Sequence, residues 1–100
     1  MTTRDDIINL LVDRRDTIRG FGVREIGVFG SFARGDNGKN SDVDVLVELA
    51  PERETFRDYM GLLCFLEELF GRKVDLVMKD AIKPLIRNRI LRETVYVPGF

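Results

Sequence analysis

The segment from Gly27 to Leu49, GVFGSFARGDNGKNSDVDVLVEL, constrains the fold more than any other part of the chain. Its second half alternates apolar and polar residues, and this period of two predicts a strand over Asp42 to Glu48. The valines of that strand share one face, whereas Asp42 and Asp44 share the other. Because a carboxylate that leaves water without a partner is costly, the acid pair indicates that something positive binds there.

Turn formers and the spacing of apolar residues divide the chain into seven predicted elements. The predicted helices are Arg4–Arg19, Ser31–Gly35, Thr55–Phe70 and Ile82–Glu93, and the predicted strands are Glu25–Phe29, Asp42–Glu48 and Lys73–Met78. The order helix, strand, short helix, strand, helix, strand, helix predicts an α/β fold with a small mixed sheet flanked by helices. The last residues, TVYVPGF, are predicted to form a loose tail.

Short polar residues and glycines mark the ends of the predicted helices. Thr2 and Thr3 each precede an aspartate by three residues, which is a capping-box arrangement at the start of the first helix. Gly20 is expected to end that helix in the left-handed conformation, and Gly71 to cap the helix after the second strand. Asp80 is expected to cap the last helix.

The composition limits the classes of protein to which the chain can belong. Its 100 residues, 44% hydrophobic and 33% charged, predict one globular domain over residues 1–100. A formal net charge of -1 gives no general attraction for nucleic acid or an anionic membrane. The single cysteine, Cys64, is expected to be a small core thiol, and the absence of a leader or membrane-spanning run predicts a cytoplasmic location. Without histidine, any chemistry must depend on carboxylates, cations and metal ions.

Gly30 and Ser31 lie where the first predicted strand opens into the short helix. Such a junction offers free backbone amides, and glycine lets a phosphate approach the backbone closely. Ser31 adds a hydroxyl donor, and Arg34 is one turn away. Taken alone, an ordinary strand-to-helix turn explains the motif better, since short Gly-Ser motifs are frequent by chance. A Walker loop needs lysine and then serine or threonine after its second glycine, whereas Gly35 is followed by Asp36, and the dinucleotide fingerprint needs a glycine spacing that this chain lacks at the junction.

Asp42 and Asp44 are two residues apart on their strand, which places their side chains about 6 to 7 Å apart on one face. Oxygen ligands at this spacing select hard cations such as Mg²⁺, although two exposed acids can also protect an edge strand. Asp75, the only acid in KVDLV, would complete a three-carboxylate cluster if the two strands are neighbours. Two magnesium ions held there could bind the attacking and leaving oxygens of a displacement at phosphorus.

Three motifs, GSFARG, SDVDVLV and KVDLV, together resemble the signature of the nucleotidyltransferase superfamily that includes DNA polymerase beta. The short length is similar to its minimal nucleotidyltransferase branch, the antitoxin partners of HEPN-domain toxins. The resemblance covers nearly the whole chain. It implies a nucleotidyltransferase fold, ATP as substrate, two Mg²⁺ ions, and transfer of AMP to a tyrosine hydroxyl of the toxin with release of pyrophosphate.

The resemblance also implies a role for each motif residue. The implied catalytic and metal-binding residues are Asp42, Asp44 and Asp75, and the implied nucleotide-binding residues are Gly30, Ser31, Arg34 and Ser41. Ser41 would orient Asp42 and its loop. Because members often have arginine where this chain has Phe32, Arg34 is expected to be the nearer cation for the phosphates. Replacement of Gly30 by valine is expected to weaken ATP binding, and, if Gly30 has a negative φ, to change the melting temperature of the ligand-free protein little.

Two surfaces are candidates for contacts with partners. The predicted helix Thr55–Phe70 has more apolar residues than one stripe against a sheet requires, so we expect a face of it to contact a partner or a second copy, unless the fold covers it on both sides. The basic last helix is expected to be a solvated face, or to reach the nucleotide through Lys83 or Arg87. Two other functions fit: a binding protein that neutralises its partner by occlusion, and an enzyme that modifies a small molecule such as an aminoglycoside.

Overall fold

A four-stranded mixed sheet forms the centre of the computed structural model, which describes residues 3–100. The strands are β1 (Val23–Phe29), β2 (Val43–Leu49), β3 (Val74–Met78) and β4 (Val95–Tyr96), in the spatial order β3-β2-β1-β4. Strand β1 runs antiparallel to both β2 and β4, whereas β2 and β3 run parallel. The predicted α/β class and the mixed sheet are confirmed.

Helices cover both faces of this sheet. They are α1 (Arg4–Asp13), α2 (Arg15–Arg19), α3 (Gly30–Arg34), α4 (Phe56–Phe70) and α5 (Pro84–Glu93), with short 3-10 turns at Pro51–Arg53 and Lys79–Ala81. The main core joins α1, α2 and α4 to the valine face of β2. A smaller cluster on the opposite face joins α5 to the sheet through Phe29, Leu46, Ile82 and Ile90. The pocket described below lies on this second face.

The first predicted helix is divided in two, so the single helix Arg4–Arg19 is wrong. The backbone of Arg14 leaves the helical region (φ −106°, ψ 20°), and the change of direction lets Ile18 join the main core. Thr3 forms the predicted capping box with Asp6, while Thr2 lies outside the described residues. Gly20 is right-handed (φ −60°), and the chain reverses through Gly22 instead, where φ is +88°.

The C-terminal tail is a strand and not a loose segment. Strand β4 pairs with Gly27 and Val28 of β1, and the Val97 amide donates to the Ile26 carbonyl at 2.9 Å. Val97 is buried, so the tail satisfies the outer edge of β1 and closes the core beside it.

Two smaller predictions about side chains are also wrong. Asp80 does not cap α5, because Pro84 starts that helix and Lys83 takes the capping position. Cys64 is exposed on α4, since the buried stripe of that helix consists of Leu62, Leu66 and Phe70. Gly71 does end α4 in the left-handed conformation, as predicted (φ +63°). Within residues 3–100, no helix has the length and apolar character needed to cross a membrane.

Candidate active site

A cavity of about 570 Å³ opens between the sheet and α5. Its lining includes five of the residues predicted from the sequence, namely Gly30, Ser31, Arg34, Asp44 and Asp75. The antiparallel pairing of β1 with β2 brings the end of one beside the start of the other, so Phe29 faces Asp44. The glycine-serine junction and Asp44 therefore meet at one end of the sheet.

Asp44 and Asp75 are direct partners in the parallel pairing of β2 with β3. The expectation that the strands carrying the acids are neighbours is confirmed. Strand β3 is held against α4 by the Tyr59 hydroxyl, which donates to the Leu76 carbonyl at 2.6 Å, and by the Val74 amide, which donates to Glu67 at 3.1 Å. These contacts fix the strand position from which Asp75 projects.

Asp44 carries the electrostatic signature of the site. The pKa of its carboxyl is raised to about 6, first by burial and then by the charges of Asp75, Asp42 and Glu93, while Arg34 opposes them. The carboxyl is half-buried, so it lies among like charges with only part of its hydration. A group in this state favours any arrangement that adds positive charge nearby.

Gly30 is in the left-handed region, with φ +69°, so the negative φ considered for it is wrong. The Asp44 side chain lies against its Cα, and a Cβ at this position would come within 2.8 Å of the Asp44 Cγ. Only glycine fits here without displacing the acid, which means that valine at this position would disturb the fold as well as any bound nucleotide.

Arg34 extends along the same wall of the cavity but is not a free cation. Its Nε is 3.1 Å from the Asp36 carboxylate, and its Nη1 is 3.3 Å from the Glu93 carboxylate. Both acids, Asp36 more than Glu93, raise the pKa of the guanidinium. Arg34 could therefore bind a phosphate only if its contact with Asp36 or with Glu93 were first broken.

Asp42 and Ser41 lie beside the main cavity. Asp42 is exposed and, together with Ser41, lines a neighbouring cavity of about 470 Å³. The Gly38 amide donates to the Ser41 hydroxyl at 2.7 Å, and Arg72 donates to the Ser41 carbonyl at 3.3 Å. The loop that leads into Asp42 is therefore tied at both ends of Ser41, although the roles of both residues in binding stay predictions.

Glu93 was not predicted as a site residue, yet it lies at the centre of the cavity wall. Its Oε1 accepts a hydrogen bond from the Gly30 amide at 3.0 Å. Within residues 3–100, the ion pair of Glu93 is with Arg34. One local signal was present, because an acid in the last turn of a helix faces the negative end of the helix dipole.

The basic residues at the start of α5 and along it have different surroundings. Lys83, which precedes the helix, and Arg89 line the cavity, whereas Arg87 donates to the Lys79 carbonyl at 2.8 Å. Of the two residues that could reach a nucleotide, the structure places Lys83 at the cavity and gives Arg87 another partner. The large apolar residues exposed on α5 are Leu85 and Ile86, and Ile86 also lines the cavity.

The donor chemistry of the cavity fits a hard divalent cation. Asp44 and Asp75 present carboxylate oxygens from adjacent strands, and burial together with the neighbouring acids raises the pKa of Asp44. In the part of the chain that the structure describes, no three acidic side chains lie close enough together, in their present conformations, to bind one metal ion. Asp42 and Asp75 are exposed, so their side chains have room to turn towards a common ion.

Comparisons with known proteins agree with this arrangement. Residues 8–97 match the family described as nucleotidyltransferase domain. The chain is 45% identical to the protein adenylyltransferase MntA of Thermococcus cleftensis over 98 residues, which cover 97% of this chain and 98% of that one.

Two solved structures resemble the fold. One, provisionally described as a minimal nucleotidyltransferase, is 35% identical with a TM-score of 0.72, over 88% of this chain and 93% of that one. The other is a tri-AMPylated Shewanella oneidensis HEPN toxin in complex with MNT antitoxin. It is 19% identical with a TM-score of 0.67, over 98% of this chain and 74% of that one, and this likeness concerns the fold alone.

Proposed function

The chain belongs to the nucleotidyltransferase domain family and is a nucleotidyltransferase, and from this premise we propose that it transfers AMP from ATP to a tyrosine hydroxyl of a HEPN-type toxin. The observation that carries the proposal is the register of Asp44 with Asp75 in a cavity that also contains Gly30 and Ser31. Acids and phosphate-binding groups at one sheet edge are what a displacement at phosphorus requires.

In this proposal, each residue has a defined task. The Gly30-Ser31 junction and Arg34 bind the triphosphate, and Asp42, Asp44 and Asp75 would hold Mg²⁺. When bound, the metal supplies positive charge to the phosphate oxygens and lowers the pKa of the attacking hydroxyl. The hydroxyl oxygen forms a bond to the α-phosphorus, the bond from that phosphorus to the bridging oxygen breaks, and pyrophosphate leaves. Asp75, which lines the cavity and is more exposed than Asp44, accepts the hydroxyl proton.

Support for the acceptor comes from the relatives. The relative with 45% identity is named a protein adenylyltransferase, and the fold is shared with an antitoxin in complex with a HEPN toxin. On the protein itself, Leu85 is 99% exposed and Ile86 lies at the cavity, so an acceptor that enters there meets apolar surface. Helix α4, in contrast, exposes one large apolar side chain among its described residues, that of Phe56. The proposal includes a cytoplasmic location, where ATP is available.

The test is transfer of labelled AMP. The protein is incubated with labelled ATP, Mg²⁺ and a lysate of its own host, and the labelled product is identified by mass. Asp44→Asn is expected to abolish labelling, whereas Asp13→Asn, the same change on the exposed end of α1, retains it. Labelling that persists in Asp44→Asn would contradict the assignment.

One observation favours a second function, a binding protein that acts by occlusion. Within residues 3–100, the acids are not arranged to hold an ion as they stand. The variant Asp75→Asn distinguishes the two functions. It is expected to bind the partner whichever function is correct, but to protect cells from the partner only if occlusion alone is sufficient. Equal protection by this variant and the unchanged protein, at matched expression, would favour the binding protein over the enzyme.

A further inference from the structure

Glu93 occupies the two groups of the cavity wall that are suited to an anion. Its Oε1 accepts from the Gly30 amide at 3.0 Å, and its Oε2 lies 3.3 Å from Nη1 of Arg34. The Glu93 side chain is only 21% exposed, so its contact with the Gly30 amide is partly buried, whereas its contact with Arg34 reaches solvent. A carboxylate that bridges an amide and a guanidinium uses the same donors that two phosphate oxygens would use.

The position is electrostatically unfavourable for an acid in two respects. Glu93 is the last residue of α5, where the helix dipole disfavours negative charge. It also adds to the negative charge around Asp44. Within residues 3–100, no hydrogen bond or ion pair joins it to Arg89 on its own helix, so the contacts with Gly30 and Arg34 are what hold it there.

We propose that Glu93 is an internal competitor of the triphosphate, which must displace its carboxylate from Gly30 and Arg34 before it can bind. This inference rests on the proposed function, because it assumes that these two residues bind phosphate. Its consequence is that Glu93 lowers the affinity for ATP in the resting protein. Loss of its charge therefore tightens the binding of any ligand that carries a diphosphate, and leaves a ligand without phosphate unaffected.

The experiment is calorimetric titration of the full chain with three probes: ATP with Mg²⁺, inorganic pyrophosphate with Mg²⁺, and adenosine. Glu93→Gln removes the charge, and Glu93→Asp keeps the charge but withdraws it by one methylene. Glu52→Gln, at the far end of β2 in the turn Pro51–Arg53, is the matched control. Because the displaced contacts are one charge-assisted hydrogen bond and one partly exposed ion pair, we expect about threefold to tenfold tighter binding of ATP and pyrophosphate by Glu93→Gln.

The outcomes separate this inference from the function on which it rests. Tighter binding of both phosphate ligands by Glu93→Gln, a smaller gain by Glu93→Asp and no change in Glu52→Gln support the competitor. Equal or weaker binding by both Glu93 variants, with ATP bound normally by the unchanged protein, overturns the competitor and makes Glu93 a structural tie. If the unchanged protein binds neither ATP nor pyrophosphate, the proposed function itself fails.

Discussion

Asp44→Asn is expected to stabilise the ligand-free protein at neutral pH while it destroys activity. The carboxyl of Asp44 has its pKa raised from 3.8 to about 6, first by burial and then by the charges of Asp75 and Asp42. The folded protein therefore holds this proton more tightly than the unfolded chain does. Stability must fall as the pH rises from about 4 to about 6, and the full penalty is present above that range.

The magnitude follows from the size of the shift. A shift of about two pKa units corresponds to about 3 kcal/mol of unfolding free energy. Because Asp44 is only half-buried, solvent screening reduces this to about 1 to 2 kcal/mol. Asparagine has nearly the same shape and no charge, so Asp44→Asn should recover that amount at pH 7.5 and lose most of its advantage near pH 4.

The assay is urea unfolding with a metal chelator present, at several pH values between 4 and 7.5. Asp13→Asn serves as the control, since Asp13 is exposed at the end of α1. Asp75→Asn should show part of the same gain, because the charge of Asp75 helps to raise the pKa of Asp44. An Asp44→Asn protein that is no more stable than the original at pH 7.5, or equally favoured at pH 4 and 7.5, would refute the reasoning.

Three further changes test the geometry through unfolding free energies. Gly30→Ala should lose about 2 kcal/mol or more, because it adds both left-handed strain and overlap with a carboxylate, whereas Gly35→Ala, also left-handed but with open space around it, should lose only about 1 kcal/mol; equal losses would contradict the overlap. Tyr59→Phe should lose about 1 kcal/mol with the hydrogen bond to Leu76, and a neutral result would discount that bond. Thr55→Ala should lose about 1 kcal/mol with the cap of α4, and an unchanged midpoint would show that the cap is dispensable.

The elements with strong local patterns were predictable from the sequence. Strand β2 has apolar residues at every second position, and α4 (Phe56–Phe70) is capped by Thr55 and Gly71, close to the predicted bounds. Strands β2 and β3 were predicted to be neighbours because that arrangement would bring Asp75 beside Asp42 and Asp44 in one carboxylate cluster. The register, which pairs Asp44 with Asp75, confirms that the strands are neighbours. Local periodicity and chemical complementarity were sufficient for this part of the fold.

Features that depend on distant contacts could not be predicted in the same way. Strand β4 has two residues, and what makes it a strand is its pairing with Gly27 and Val28, almost seventy positions earlier in the chain. The positive φ of Gly30 is equally non-local, since the Asp44 side chain fills the space that a Cβ would need. A pattern within one segment contains no information about which segment will lie beside it.

The local rules that this chain breaks concern one cavity. Gly30 begins α3 with a left-handed φ, Asp44 keeps a charge among other acids, and Glu93 ends α5 with the unfavourable sign of charge. For stability alone, an uncharged residue would serve better at the last two positions. Under the proposed function, a metal ion beside Asp44 and a phosphate in place of Glu93 would offset the last two features, while the left-handed φ of Gly30 leaves room for the Asp44 side chain. These two charges are a cost in the ligand-free protein that metal and nucleotide would remove on binding, and only the part of that gain that grows as charge develops at phosphorus would speed the transfer.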